Sequence, residues 1–537
     1  MTSTVDVIAQ RLYVAGCRHA FGIPGGEVLA IMEALERAGI AFHLTKHENA
    51  AGFMAEGTYH ASSAPGILLA TLGPGVANAL NVVANAEQDR VPLIVLTGCI
   101  DPGDRLNFTH QVFDHARVFE PVTKASFTAV AGASDIMIDK AVNIAMEGRC
   151  GPVHIDVPIS VATQAHPPSR GVIQEPHCPV APAEGEALER SREMLRKASR
   201  PVIMAGLDVL YEDGAADALR EFATELKIPV LTTYKAKGVM PEDHPLSLGG
   251  HGLSPLSDTY VLPFLKKADF ILALGYDPIE MRAGWINPWD PAKAVEFSAV
   301  RNSHYVHQAE LSFVCSVAGG LDAISRAGRL KPAASWPDGE IARLKADLEA
   351  AFSTNEEWNV TAAIAAIARN VPEDVLASAD TGAHRILLSQ MWSCAAPRAM
   401  IQSTGLCTMG CALPLAMGHK LAAPERPVIA FTGDAGLEMV LGELATLRDL
   451  KQQVVIVVFV DASLALIELK QRGMGRDNRG VDFGHTDFAG IARLMGGEGR
   501  IAGDVATLEH EIREAFRRDN FTLIEVPIGR KAYDGRF

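Results

Sequence analysis

The sequence predicts an α/β protein made of three doubly wound parallel-sheet domains. Three observations carry that expectation. Short runs rich in Val, Ile and Leu recur along the chain, several nearly continuous, as strands buried on both faces should be. Longer segments with helical spacing lie between them, the alternation that parallel strands joined by helices require. Two turn-rich stretches divide the 537 residues into pieces that each suit one such domain, at roughly 100–200 residues per domain.

Taken in order, the first piece carries the strand runs Gly66–Thr71, Leu93–Thr97 and Val153–Val157. The second carries Val202–Ala205, Val230–Thr233 and Phe270–Leu274, and the third Val428–Thr432, Val454–Val460 and Thr522–Val526. Helical spacing marks Gly442–Leu450 and Ala506–Phe516. The first linker, Thr163–Gly185, holds His166-Pro167-Pro168 and Pro179-Val180-Ala181-Pro182. The second, Gly328–Gly339, holds Pro332, Ser335 and Pro337. Both break periodicity with turn formers. The expected domains are therefore 1–165, 186–328 and 345–537. No short-period repeat appears, which argues against a solenoid.

Composition narrows the function. Hydrophobic residues at 48% against 21% charged describe a globular rather than a disordered chain. With 49 Lys and Arg against 64 Asp and Glu, the net charge of −15 opposes binding to nucleic acid or to an anionic membrane. The most apolar run, Val454–Val460, is far shorter than the roughly 20 residues of a membrane span. Met1–Ala20 lacks a basic end followed by an apolar core, so no secretory signal is expected. The eight cysteines form no CxxC pair, which suits a reduced, cytoplasmic chain.

The chemistry starts at Val428-Ile429-Ala430-Phe431-Thr432-Gly433-Asp434-Ala435-Gly436, a strand that ends in Gly-Asp-small-Gly before a helix. Glycine allows a sharp turn and a close ligand approach, and a helix N-terminus suits phosphate. Asp434 adds a carboxylate, which belongs beside phosphate if a hard cation sits between them. A second acid, Asp461, follows 27 residues later, at the end of the next buried strand, with Ala462 and Ser463 after it. Both acids should meet at one carboxyl edge, where open α/β sheets bind ligands. Mg²⁺ there would take Asp434, Asp461, a backbone carbonyl such as that of Ser463, and diphosphate oxygens.

Gly433-Asp434 followed by Asp461 after an apolar strand resembles the signature of the thiamine diphosphate enzymes. Val460-Asp461 stands where that signature usually has two asparagines, a variant similar to the catabolic, FAD-independent acetolactate synthases. The resemblance implies a fold of the pyruvate-oxidase/acetolactate-synthase type, with a pyrimidine-binding, a middle and a diphosphate-binding domain. It also implies that Asp434, Asp461 and Ser463 hold Mg²⁺, and that the cofactor lies between two chains of a homodimer or homotetramer.

The N-terminal piece carries the complementary motifs: Phe21-Gly22-Ile23-Pro24-Gly25-Gly26, then Lys46-His47-Glu48-Asn49, then Gly73-Pro74-Gly75 with Asn78. A lone acid at a helix start usually serves the helix dipole. The resemblance gives Glu48 another role, bonding N1′ of the aminopyrimidine so that the cofactor loses its C2 proton. By the same resemblance Pro24, Gly25, Gly73, Pro74 and Asn78 line the cofactor, as do Gly433, Ala435 and Gly436. Gln111, in His110-Gln111-Val112-Phe113-Asp114, lies beside the reacting carbons. Met409 wedges beneath the thiamine, and Leu466 and Ile467 touch substrate.

Lys470 replaces a neutral side chain of those synthases and would suit an acidic substrate tail. It shares a helix face with Leu466 by i, i+4 spacing. His251, in Gly249-Gly250-His251-Gly252, is a middle-domain candidate for reaching the site. The middle glycine cluster reads Ala205-Gly206-Leu207-Asp208-Val209, a poor match for a dinucleotide such as FAD. Cys407 and Cys411 lack further ligands nearby and are expected to pack rather than bind metal. The expected function is decarboxylation of a 2-oxo acid, pyruvate first, with carboligation as in acetolactate synthesis. The alternatives are a decarboxylase or lyase for another, acidic 2-oxo acid, and a cofactor-binding regulatory chain without turnover.

Overall fold

The computed structural model describes residues 2–171, 179–326, 336–337, 339–354 and 356–537. Most of the second expected linker, 328–339, and Cys178 lie outside the described residues. Three six-stranded sheets follow one another along the chain, and the strands within each pair in parallel.

The first sheet holds β1 (His19–Ile23), β2 (Ala41–Leu44), β3 (Gly66–Ala70), β4 (Leu93–Cys99), β5 (Ala125–Thr128) and β6 (Pro152–Pro158), in the order β2-β1-β3-β4-β6-β5. The middle sheet holds β7 (Pro201–Ala205), β8 (Val230–Thr232), β9 (Ser247–Gly250), β10 (Phe270–Leu274), β11 (Ala294–Ser298) and β12 (Leu311–Val314), in the order β12-β11-β10-β7-β8-β9. The third holds β13 (Leu376–Ala379), β14 (Met400–Gln402), β15 (Val428–Gly433), β16 (Val455–Val460), β17 (Glu498–Ile501) and β18 (Thr522–Pro527), in the order β14-β13-β15-β16-β18-β17. The third sheet thus repeats the strand order of the first. The middle sheet has the dinucleotide-fold order instead.

The nine runs expected from sequence are all strands, because each lies inside its sheet and is covered on both faces. The half-covered strands β2, β5, β12 and β17 carry no continuous apolar run and leave no such signal. Residues 163–171 and 179–185 hold no helix or strand beyond the bridge of Ala165 to Ser3. The helix Glu340–Ala351 packs Leu344 and Leu348 with Trp336 and Phe264 of the middle core. The expected third domain starts at 345, within this helix.

The first and third domains meet along helices Glu48–Ser62 and Ala412–Ala422. Phe53, Met54 and Tyr59 share one core with Leu413, Leu415 and Met417. The backbones touch: a Cβ on Gly418 would lie 1.9 Å from the Met54 carbonyl oxygen, and one on Gly57 would lie 2.3 Å from that of Leu415. Ion pairs fasten the middle domain to both neighbours. Arg90 Nε lies 3.1 Å from Asp277, Lys235 Nζ lies 3.1 Å from Asp89, and Arg385 donates to both Glu280 oxygens at 2.6 and 2.8 Å. No helix among the described residues is long and apolar enough to cross a membrane.

Candidate active site

In the third sheet, β13, β15 and β16 lie side by side and end at one edge. Asp380 follows β13, Asp434 opens the helix after β15, and Asp461 follows β16. Asp434 organises the turn beside it. Its Oδ2 accepts the N–H groups of Asp461 at 3.0 Å and Ala462 at 2.7 Å, and its Oδ1 accepts that of Ala435 at 2.8 Å. Asp461 Oδ1 accepts the Ser463 N–H, and Ser463 Oγ donates to Asp482. Both acids are buried, at 4% and 7% exposure. Burial raises the Asp434 carboxyl. Burial and then the Asp434 charge push Asp461 up to about 7.

Asp380 and His384 belong to the same edge and were not expected from sequence. Asp380 Oδ2 accepts the Gly410 N–H at 2.9 Å and the Thr432 hydroxyl at 3.0 Å, and its Oδ1 accepts the Cys411 N–H. It thereby ties the turn of half-buried Met409 to the end of β15. A Cβ on Gly436 would meet Asp380 Oδ2 at 2.1 Å, so that position is restricted to glycine. The His384 ring lies 3.4 Å from where a Gly433 Cβ would be, and its buried Nε2 has no partner. The signal for both was Asp380-Thr381-Gly382 before a helix, muted because β13 is only four residues long, three of them Ala or Ser.

In the first domain, β1 and β3 end side by side. Gly25 is packed so closely that a Cβ there would lie 2.1 Å from Thr71 Oγ1, and Thr71 donates to Glu27 at 2.8 Å. Gly73 has φ +69° and Pro74 opens helix Pro74–Asp89. Glu48 is the first residue of its helix, 4% exposed, and accepts a hydrogen bond from Asn78 at 3.1 Å. Gln111, exposed and with φ +59°, packs over Gly73.

Three family models match the chain: the thiamine pyrophosphate enzyme N-terminal TPP binding domain over residues 2–118, its central domain over 188–324, and its C-terminal TPP binding domain over 380–526. The chain is 30% identical over 554 residues to an acetolactate synthase large subunit of Lactococcus lactis, covering 99% of this chain and 93% of the relative. It is 30% identical over 537 residues to a probable 2-ketoarginine decarboxylase of Pseudomonas aeruginosa, covering 95% and 91%. It is 26% identical over 532 residues to an acetolactate synthase of Bacillus subtilis, covering 97% and 92%. The chain belongs to the thiamine pyrophosphate enzymes. Its type is acetolactate-synthase-like, and the three domains have the pyruvate-oxidase-type fold.

The residues present fit thiamine diphosphate, the pyrophosphate of the family name. The His384 Nε2 beside Gly433 is buried without a partner in the chain, and a proton on it would let it donate to a diphosphate oxygen. The two buried acids Asp434 and Asp461 suit a hard divalent cation. In the middle domain, a Cβ on Gly206 would lie 2.4 Å from the Gly275 carbonyl, and Asp208 accepts from Ser298 Oγ and the Ala299 N–H across the strand ends.

Two substrate candidates have surroundings that the sequence did not show. His251 is held inside the middle domain. It is 2% exposed, with Nδ1 against Ser257 Oγ at 2.6 Å and Nε2 against the Leu248 carbonyl at 2.8 Å. In helix Ala465–Gly473, Leu466 is turned onto the core of its own domain, so it does not share an open face with Lys470. Ile467 (44% exposed) and Lys470, at i, i+3, occupy the exposed side instead. Cys407 Sγ donates to Glu280 and Cys411 Sγ to Asp380.

Proposed function

We propose that this protein uses thiamine diphosphate and Mg²⁺ to decarboxylate a 2-oxo acid and to join the remaining carbons to a second carbonyl, as an acetolactate synthase does with pyruvate. The observation that carries this is the pairing of Glu48–Asn78 at one sheet edge with Asp434–Asp461 at the edge of a sheet of the same strand order. When bound, the cofactor supplies a thiazolium carbon that takes up the carbonyl and accepts the electron pair released with CO₂. Glu48 holds a proton at N1′ of the pyrimidine. Asp434, Asp461 and the Ser463 carbonyl would hold Mg²⁺, and His384, with a proton on Nε2, would donate to the diphosphate. Met409 supports the cofactor from below, and Gln111 orients the reacting carbons.

The hydrogen bonds of Glu48 stay within the first domain and those of Asp434 within the third. On the segments that carry Gln111, Asp434 and Lys470, apolar side chains are exposed: Leu106 at 94%, Met439 at 65% and Met474 at 69%. This supports a homodimer or homotetramer in which the first domain of one chain completes the third of another. Light scattering that shows a monomer with full activity would overturn it.

A second reading is a simple decarboxylase or lyase for a 2-oxo acid with a charged tail. It is supported by the likeness to a probable 2-ketoarginine decarboxylase; Lys470, on the open side of its helix, would by contrast favour an anionic tail over a cationic one. The intact Glu48, Asp434 and Asp461 favour an enzyme over a regulatory chain without turnover. A panel of pyruvate and 2-oxo acids with distal carboxylate or guanidinium groups, with products identified by NMR, tests all three. Acetolactate from pyruvate supports the first reading; an aldehyde from a charged substrate with no ligation product replaces it by the second. If the distal carboxylate is preferred, Lys470→Gln should cut kcat/KM for it by about tenfold or more and spare pyruvate.

A further inference from the structure

The segment that carries Gln111 is exposed from Pro102 to Gln111 and pinned at both ends. At its start, Asp101 Oδ1 accepts the N–H and the hydroxyl of Ser160. At its end lies His115, 3% exposed. Its Nδ1 is 2.8 Å from Asp156 Oδ1, and its Nε2 accepts the Gly73 N–H at 3.4 Å. Gly73 is the turn on which Gln111 rests: a Cβ there would lie 2.7 Å from the Gln111 carbonyl oxygen and 2.8 Å from its Cβ.

Behind Asp156 the bonds continue into the sheet. Thr97 Oγ1 donates to Asp156 Oδ1 at 2.6 Å, His154 Nε2 lies 2.7 Å from Thr97 Oγ1, and Ser126 Oγ lies 2.7 Å from His154 Nδ1. Thr97 and His154 are fully buried. With both imidazoles neutral, one proton arrangement satisfies every bond. The Gly73 amide can only donate, so His115 Nε2 is the acceptor and Nδ1 carries the proton given to Asp156. Thr97 gives its proton to Asp156 and receives that of His154 Nε2, and Ser126 donates to His154 Nδ1. A network with every member satisfied is rigid and specifies one geometry. The ring and carboxylate atoms of His115, His154 and Asp156 lie within 4.8 Å of one another, a spacing that also suits a metal. The imidazole nitrogens and Asp156 Oδ1 are already committed to hydrogen bonds.

We propose that His115, braced by Asp156, is a positioning residue that locks the Gly73 turn and through it holds Gln111 against the reacting carbons. The inference rests on the role given to Gln111 under Proposed function. Its test is a double-mutant cycle on the holoenzyme with the best substrate of the panel. His115→Ala should lower kcat on the order of 10- to 100-fold, the scale of a small misplacement of a group at the reacting centre, and should cost far more in kcat than in thiamine diphosphate affinity measured by calorimetry. In a Gln111→Ala background the same change should cost nothing further. Thr97→Val, which keeps the shape and removes the hydroxyl under Asp156, should show a smaller loss that also vanishes in that background; it carries the test if His115→Ala does not fold. A silent Gln111→Ala would remove the role of Gln111 itself. A damaging Gln111→Ala with a silent His115→Ala, or a His115 effect undiminished in the double variant, overturns the positioning role alone. A transition metal at one per chain that is lost in His115→Ala overturns it too, because the imidazoles would then be ligands.

Discussion

Glu48 is a buried acid at a helix start whose partner, Asn78, can donate but cannot take a proton from it. That leaves its carboxyl free to serve a ligand. Glu48→Gln should fold and bind thiamine diphosphate yet lose turnover by roughly 10²–10⁴-fold, the usual share of general acid–base catalysis. Hydrogen–deuterium exchange at the thiazolium carbon is the measurement, and an unchanged exchange rate would remove Glu48 from the mechanism. His251 has a different consequence. Burial holds its pKa down to about 4 against the ordinary 6.5. Between those values the unfolded chain binds a proton that the folded chain refuses, so the stability contributed by neutral His251 is present at pH 7 and is lost as pH falls from 6.5 toward 4. The stability gap between wild type and His251→Gln should therefore narrow from pH 7 to pH 5 in urea titrations. A gap that widens would mean that the buried ring is charged.

Among the elements, the turn Gly433–Gly436 and the turn Asp461–Ser463 form one unit, because Asp434 accepts the backbone N–H groups that shape the second turn. Asp434→Ala should disturb both turns, whereas Asp461→Ala should remove one carboxylate with the neighbouring turn intact. Both should weaken Mg²⁺ and thiamine diphosphate together, Asp434→Ala the more, in calorimetry at varied Mg²⁺. Unchanged affinity in both would reduce these acids to structural caps. The helix pair Glu48–Ser62 and Ala412–Ala422 is held by backbone contact at Gly57 and Gly418. Gly418→Ala should cost about 1–3 kcal/mol as overpacking, which thermal unfolding would show as a lowered midpoint. An unshifted midpoint would mean that the helices can part without loss.

For the whole molecule, the ion pairs at the domain boundaries bear on how the half-sites are held. Arg385 is 4% exposed and follows His384, so its pair with Glu280 ties the middle domain to the diphosphate edge. Glu280→Leu leaves a buried guanidinium unpaired, at a cost on the order of 3 kcal/mol, and Arg385→Met added to it should recover most of that. Equal stability of the single and double variants, by denaturant titration, would show that the pair contributes little. The middle domain also bears on cofactor content: with Asp208 bonded across the strand ends, the purified protein should release no flavin on denaturation. Stoichiometric flavin in the supernatant would refute this.

The sequence by itself determined the interior strands, the α/β class and the two acid-bearing motifs. Strands buried on both faces must be continuously apolar, and a Gly-Asp turn or an acid at a helix start is a local signal readable without neighbours. It left the short and half-covered strands silent, and with them Asp380 and His384 beyond β13. Nor did it show that His251 is buried, or that on the exposed side of helix Ala465–Gly473 Ile467 accompanies Lys470 while Leu466 packs on the core. Only the tertiary structure decided these, because spacing says which residues share a helix face but not what that face meets. The repeated strand order of the first and third sheets, and the buried line of bonds from Ser126 to Gly73, likewise depend on pairings between residues distant in the chain. No local pattern encodes such pairings. They exist because a buried polar group must find its partner wherever folding has placed one.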